Sequence, residues 1–152
     1  MSRRLIALAV LAASLAGPAA AGTTIPWTVV AHGMSAGRPT ETDVALLATS
    51  ASAAHRIVAH LPPSAAGQAL RVDYRTSVLV GVFGPFGCTD GRVHVTRIDE
   101  AGSTLTVHLA VTPLPPGVAA CEAVFGTYRL LVLPRRALRV APTAAEVTVA
   151  RA

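Results

Sequence analysis

The chain is expected to fold as an α+β, mainly β domain: an antiparallel sheet with one short helix packed on it. Three observations lead there. From Leu70 onward apolar and polar residues alternate over several separate runs, the period of half-buried strands. Just before Leu70 a single stretch has apolar residues at helical spacing instead. Clusters of Gly, Pro, Ser and Asp punctuate the runs, as turns do. With 52% hydrophobic and 14% charged residues among 152, a packed core is within reach and disorder is not the reading.

The first segment, MSRRLIALAVLAASLAGPAAAG, lies outside that domain. Arg3 and Arg4 form a positive start, Leu5 to Leu15 an apolar run, and Ala19 and Ala21 a small-residue cleavage site. Residues 1–21 therefore read as a secretory signal peptide, and residues 22–152 as one domain. The apolar run is shorter than the ~20 residues a spanning helix needs, and no second run of that length follows. The expectation is an exported protein, periplasmic or extracellular, with no stable membrane span after cleavage. Ser2-Arg3-Arg4 partly matches a twin-arginine signal, so the Sec and twin-arginine routes both stay open.

Within the domain, Trp27 to Val30 is a short β-prone run and His32 to Thr40 has loop composition. Val44 to Ala48 suits a strand or the start of a helix. The helix is placed at about residues 52–61, with Ser50 or Ser52 capping its free N–H groups, Ala54, Ile57, Val58 and Leu61 facing the core, and Pro62-Pro63 ending it. Strands follow at Ser77–Phe83, Arg92–Ile98, Thr104–Thr112 and Thr127–Leu133, with two short ones at Leu138–Val140 and Glu146–Val149. Glu100-Ala101-Gly102 reads as a three-residue hairpin loop with Gly102 at positive φ. That loop pairs Asp99 with Ser103, Val95 with Val107 and Val93 with Leu109, and sets His94 opposite His108 and Thr96 opposite Thr106.

Cys88 and Cys121 are the only cysteines. An even pair in an oxidising compartment predicts a disulfide, worth roughly 3–4 kcal/mol for a loop of this length in the chain-entropy account. It would pin the turn GPFGCTDG to the loop PLPPGVAAC. The formal charge is +5, all 13 basic side chains being Arg, and Arg3 and Arg4 leave with the signal peptide. The remaining basic residues are scattered and aromatics are 4%, so no stacking platform or basic stripe for nucleic acid is present.

No catalytic motif emerges. The serines lack a G-x-S-x-G setting, and no set of three or four ligands with zinc spacing appears. His94 and His108, if opposed, are an outside candidate pair for a metal; solvated histidines are the simpler reading, and no cofactor is expected. The surface to mutate first is the rim around the cysteines: Pro85, Phe86, Thr89, Asp90, Arg92, Glu122 and the loop from Pro113 to Val118.

The segment from Leu70 to Arg135 resembles the C-terminal domain of the PrcB family, named for a subunit of a secreted protease complex. The residues that carry the resemblance are the pair Asp73-Tyr74, the apolar strand SVLVG ending in glycine, the strand opening the hairpin, and a late strand ending Leu133-Pro134-Arg135. Where the family's turn reads Thr-Gly-Gly-Tyr, this chain has Cys88-Thr89-Asp90-Gly91-Arg92. The family-like core covers about residues 70–135. The resemblance implies a β-rich, non-enzymatic interaction module, an accessory or regulatory subunit whose partner is a secreted or envelope protease or another protein. The alternative left open by the residues is a small hydrolase or metal-binding protein built on histidine and aspartate.

Overall fold

The computed structural model describes residues 23–36, 42–87, 92–112, 115, 117 and 124–151. The signal peptide, Cys88, Thr89, Asp90, Cys121 and Glu122 lie outside the described residues, as does most of the Pro113–Val118 loop. The fold is mainly β, with two sheets and two helices where one sheet and one helix were expected. The first sheet contains β1 (Thr23–Thr24), β5 (Arg92–Ala101), β6 (Thr104–Thr112) and β8 (Ala144–Arg151) in the order β1-β5-β6-β8. The second contains β2 (Thr28–Met34), β3 (Val44–Ala48), β4 (Ser77–Gly87) and β7 (Val124–Pro134) in the order β2-β7-β4-β3. All pairs are antiparallel except β6 with β8, which is parallel. The helices α1 (Ala51–Val58) and α2 (Pro63–Leu70) cover the outer face of the second sheet.

Alternation along β4 and β7 builds both cores at once. Val78, Val80 and Val82 with Leu131 and Leu133 face the first sheet, meeting Ile98, Leu105, Val107, Leu109 and Val111. The intervening Leu79, Phe83, Tyr128 and Leu130 face the helices, meeting Ala54, Ile57, Leu61, Ala65 and Ala69. A sheet buried on both faces reads as a nearly continuous apolar run, which is why SVLVGVF and RLLVL look as they do. Gly81 sits under α1: a Cβ there would stand 2.9 Å from Ile57 Cγ2 and 3.0 Å from Phe83 Cε2.

The helical region holds one correction. Ser50 caps α1, its hydroxyl accepting from Ala53 N at 3.1 Å, and Ala54, Ile57 and Leu61 are buried as expected. Pro62 and Pro63, read as a stop, also begin α2, with Pro62 at its N-cap and Pro63 in the first turn. Proline is tolerated there because the first N–H groups of a helix have no intrahelical partner. The second helix buries Ala65 and Ala69, one turn apart, and so shows little apolar contrast in sequence.

The hairpin register also differs from the expected one. The turn has two residues, Gly102-Ser103, so Ala101 pairs with Thr104, Asp99 with Thr106 and Ile98 with Val107. Gly102 has φ +59° and no described non-glycine residue has positive φ, the pattern of a type II′ turn with glycine first. A bulge at Thr96 then brings Val95 opposite Leu109 and Val93 opposite Val111. The bulge is required because the core residues of β5, Val93, Val95 and Ile98, are spaced by two and then by three. The core phase continues to Glu100, which is buried at 8% exposure. Its carboxylate accepts the N–H groups of Arg139 (2.9 and 3.0 Å) and Val140 (2.9 Å). Leu138 to Val140, expected as a strand, is therefore a connection held to Glu100, after a 3₁₀ turn at Arg135–Ala137. The strand expected at Glu146–Val149 is the middle of β8. The loop expected from His32 begins later, after Met34, where β2 ends.

Candidate functional site

The residues that carry the family resemblance meet at one end of β4 and make a clasp. Asp73 accepts from Arg75 N (3.1 Å) and Thr76 Oγ1 (3.1 Å), and these bonds hold its carboxyl below the ordinary aspartate range. The Tyr74 hydroxyl donates to Ala69 O at 2.8 Å. Arg135 donates from Nε to Tyr74 O (3.0 Å) and from Nη2 to Thr49 O (2.6 Å). Asp73-Tyr74 and Leu133-Pro134-Arg135 thus tie α2, β4, β7 and the start of α1 together. Their work is architectural.

The candidate binding surface lies at the other end of β4. Pro85 pairs with Gly126, Phe86 with Phe125 and Gly87 with Val124 along β7, and Arg92 pairs with Thr112 across β5 and β6. The rim positions Pro85, Phe86 and Arg92 are therefore at one end of the molecule, where both sheets finish. Pro85 is accommodated because β3 stops opposite Phe83, leaving β4 paired on one side only beyond that level. Met34 and Phe125, at the same end, are exposed.

Between the two sheets at this end opens a cleft of about 800 Å³, lined by Trp27, Val29, His32, Val93, His94, Val95, Thr112 and Arg129. Arg129 is in phase with Leu131 and Leu133, so its side chain enters the inter-sheet space. Val29 stands opposite Leu131 and His32 opposite Arg129, the bulge at Val30 absorbing the odd spacing. Arg129 Nη2 donates to Val93 O at 2.5 Å, bridging one sheet to the other. Burial pulls the guanidinium's pKa down from the ordinary arginine value. It remains a cation, since arginine does not lose its proton in proteins. This cleft did not figure among the residues singled out in the sequence. Its one signal there is an arginine in the core phase of TYRLLVL.

A second polar cluster occupies the outer face of the first sheet. His94 stands opposite Ala110 and His108 opposite Arg97, so the two histidines are not the facing pair that the shorter register required. His108 instead has Nε2 3.0 Å from Asp99 Oδ2 and Nδ1 2.8 Å from Thr148 Oγ1. Arg97 Nε lies 2.8 Å from the same Asp99 oxygen. These partners select the imidazole tautomer that donates from Nε2 to the carboxylate and accepts the threonine proton at Nδ1. Among the described residues no group of three or more His, Cys, Asp or Glu is placed to hold a metal ion, and no helix is long and apolar enough to cross a membrane.

No protein-family model, curated protein or solved structure matches this chain.

Proposed function

We propose that the chain is an exported, PrcB-like interaction module that docks a protein partner, a secreted or envelope protease being the class the resemblance implies. The observation that carries the reading is the convergence of Pro85, Phe86 and Arg92 with exposed Met34 and Phe125 at one end of the sandwich. Apolar side chains left in water beside a polar rim are the composition of a docking surface. A disulfide between Cys88 and Cys121 belongs to the same proposal. Gly87, one residue before Cys88, pairs with Val124, three residues after Cys121, so only short tethers separate the two sulfurs from paired backbone. The link would stiffen the rim and lower the entropy lost on docking.

The test is site-specific photo-crosslinking in the native envelope. A crosslinker at Phe125 should capture one defined protein that a crosslinker at Leu70, exposed on α2, does not. Capture of the same mixture from both positions would remove the docking reading. Intact mass before and after reduction decides the disulfide, with a gain of two hydrogens expected.

The second reading, a small hydrolase, has one observation in its favour: the line Asp99, His108, Thr148, a carboxylate, imidazole and hydroxyl within hydrogen-bonding distance of one another. Hydrolysis of an activated ester by the wild type, abolished in Thr148→Val and His108→Ala, would establish it. Equal rates in all three proteins would dispose of it.

A further inference from the structure

We propose that the inter-sheet cleft is a binding site for a small aliphatic carboxylate, its chain between Trp27, Val29, Val93 and Val95 and its carboxylate on Arg129. The inference is independent of the docking reading and concerns a different occupant.

Arg129 is the starting point. At its position the alternation of β7 calls for an apolar side chain, and an apolar residue in a mixed inter-sheet core is commonly as stabilising as a charged one. A cation kept there, with its stem among valines and its head turned into a cleft, is accounted for by something the head recognises. The bond to Val93 O engages one of the five N–H groups of the guanidinium and fixes its plane. A guanidinium so oriented presents the fork that matches a carboxylate, and partial removal from water strengthens the attraction.

The walls define the rest of the ligand. Three valines and one indole offer aliphatic and flat apolar surface, and the polar lining apart from Arg129 consists of His32, His94 and Thr112. No carboxylate lines the cleft among the described residues, so an acid entering it meets no like charge there. One cation and an apolar trough call for one anionic head and one apolar body. The volume of about 800 Å³ lies within the ~300–1,000 Å³ typical of small-molecule sites.

Trp27 is the chain's single tryptophan, so its fluorescence reports this cleft alone. The experiment titrates the purified protein with decanoate and, in parallel, with decanol, following Trp27 emission. Decanoate should produce a saturable change, with decanol at least tenfold weaker, as expected when one charge-assisted pair is lost. Arg129→Gln should bring decanoate down to the affinity of decanol. His94→Asp, an exposed site where a new carboxylate is tolerated by the fold, should weaken decanoate several-fold and leave decanol unchanged. Circular dichroism shows whether each variant is folded, and the His94→Asp arm stands even where Arg129→Gln does not fold. Equal affinities for decanoate and decanol in the wild type, no response of Trp27 to decanoate, or decanoate binding untouched in a folded variant would each overturn the proposal.

Discussion

Gly81 sets how closely α1 lies on the second sheet. In Gly81→Ala the new methyl would meet Ile57 Cγ2 at 2.9 Å, and neither Ile57 nor Phe83, both buried, has room to withdraw. Overpacking of this kind costs about 1–3 kcal/mol, so thermal denaturation should give a lower Tm with the strand content unchanged. Tyr74 makes a different prediction. Burial pushes its phenol up to about 12, from an ordinary 10.0, because the phenolate would lose water on being enclosed. The neutral form is the one the fold favours, so its contribution to stability is complete below pH 10 and declines as pH rises through about 12. Phenolate absorbance should show one late-titrating tyrosine, and Tyr74→Phe should remove that step. An ordinary titration at this position would contradict the assigned burial.

At the scale of the element, the β5–β6 hairpin depends on a conformation that glycine adopts freely. Gly102 has φ +59° and open space around it, so Gly102→Ala meets no steric contact and carries only the backbone penalty of about 1–2 kcal/mol. Gly102→Asn should recover much of that loss, a comparison that urea denaturation of the two variants can make. The same hairpin shows where sequence reading stops. That Gly102 takes a left-handed turn residue's place is visible in the sequence; the register is not, because a two- and a three-residue loop both put glycine there. The deciding clue is the spacing of Val93, Val95 and Ile98, which only a bulge reconciles with one buried face. β6 is legible end to end because TLTVHLAVT alternates without interruption. α2 escapes notice because Ala65 and Ala69 bury little area and Pro62-Pro63 signals an ending as much as a beginning. The relay on His108 follows from β8 lying parallel to β6, a neighbour relation that no local pattern encodes. The cleft is harder still, since its residues come from β2, β5, β6, β7 and the link between β1 and β2.

Across the whole molecule, the clasp at Arg135 and the cleft at Arg129 divide the labour of β7 between its two ends. The clasp end carries hydrogen bonds that join helices to strands, and the opposite end carries the exposed apolar side chains and the open space between sheets. β7 is central in the second sheet, between β2 and β4, so both ends are supported by pairing over most of its length. Nearly all of this pairing is distant in sequence: β1 joins β5, and β2 joins β7. Folding dominated by such pairings takes roughly milliseconds to seconds, and stopped-flow refolding should fall in that range rather than among the microsecond folders.

That separation also fixes an order of events. Thr28 has no strand beside it until Val132 arrives, and Thr23 waits likewise for Glu100. A polypeptide emerging from its amino end, through a ribosome or a membrane pore, presents these early strands as bare extended chain for most of its passage. A chaperone that grips unpaired β-prone sequence has that interval, and little afterwards, in which to act.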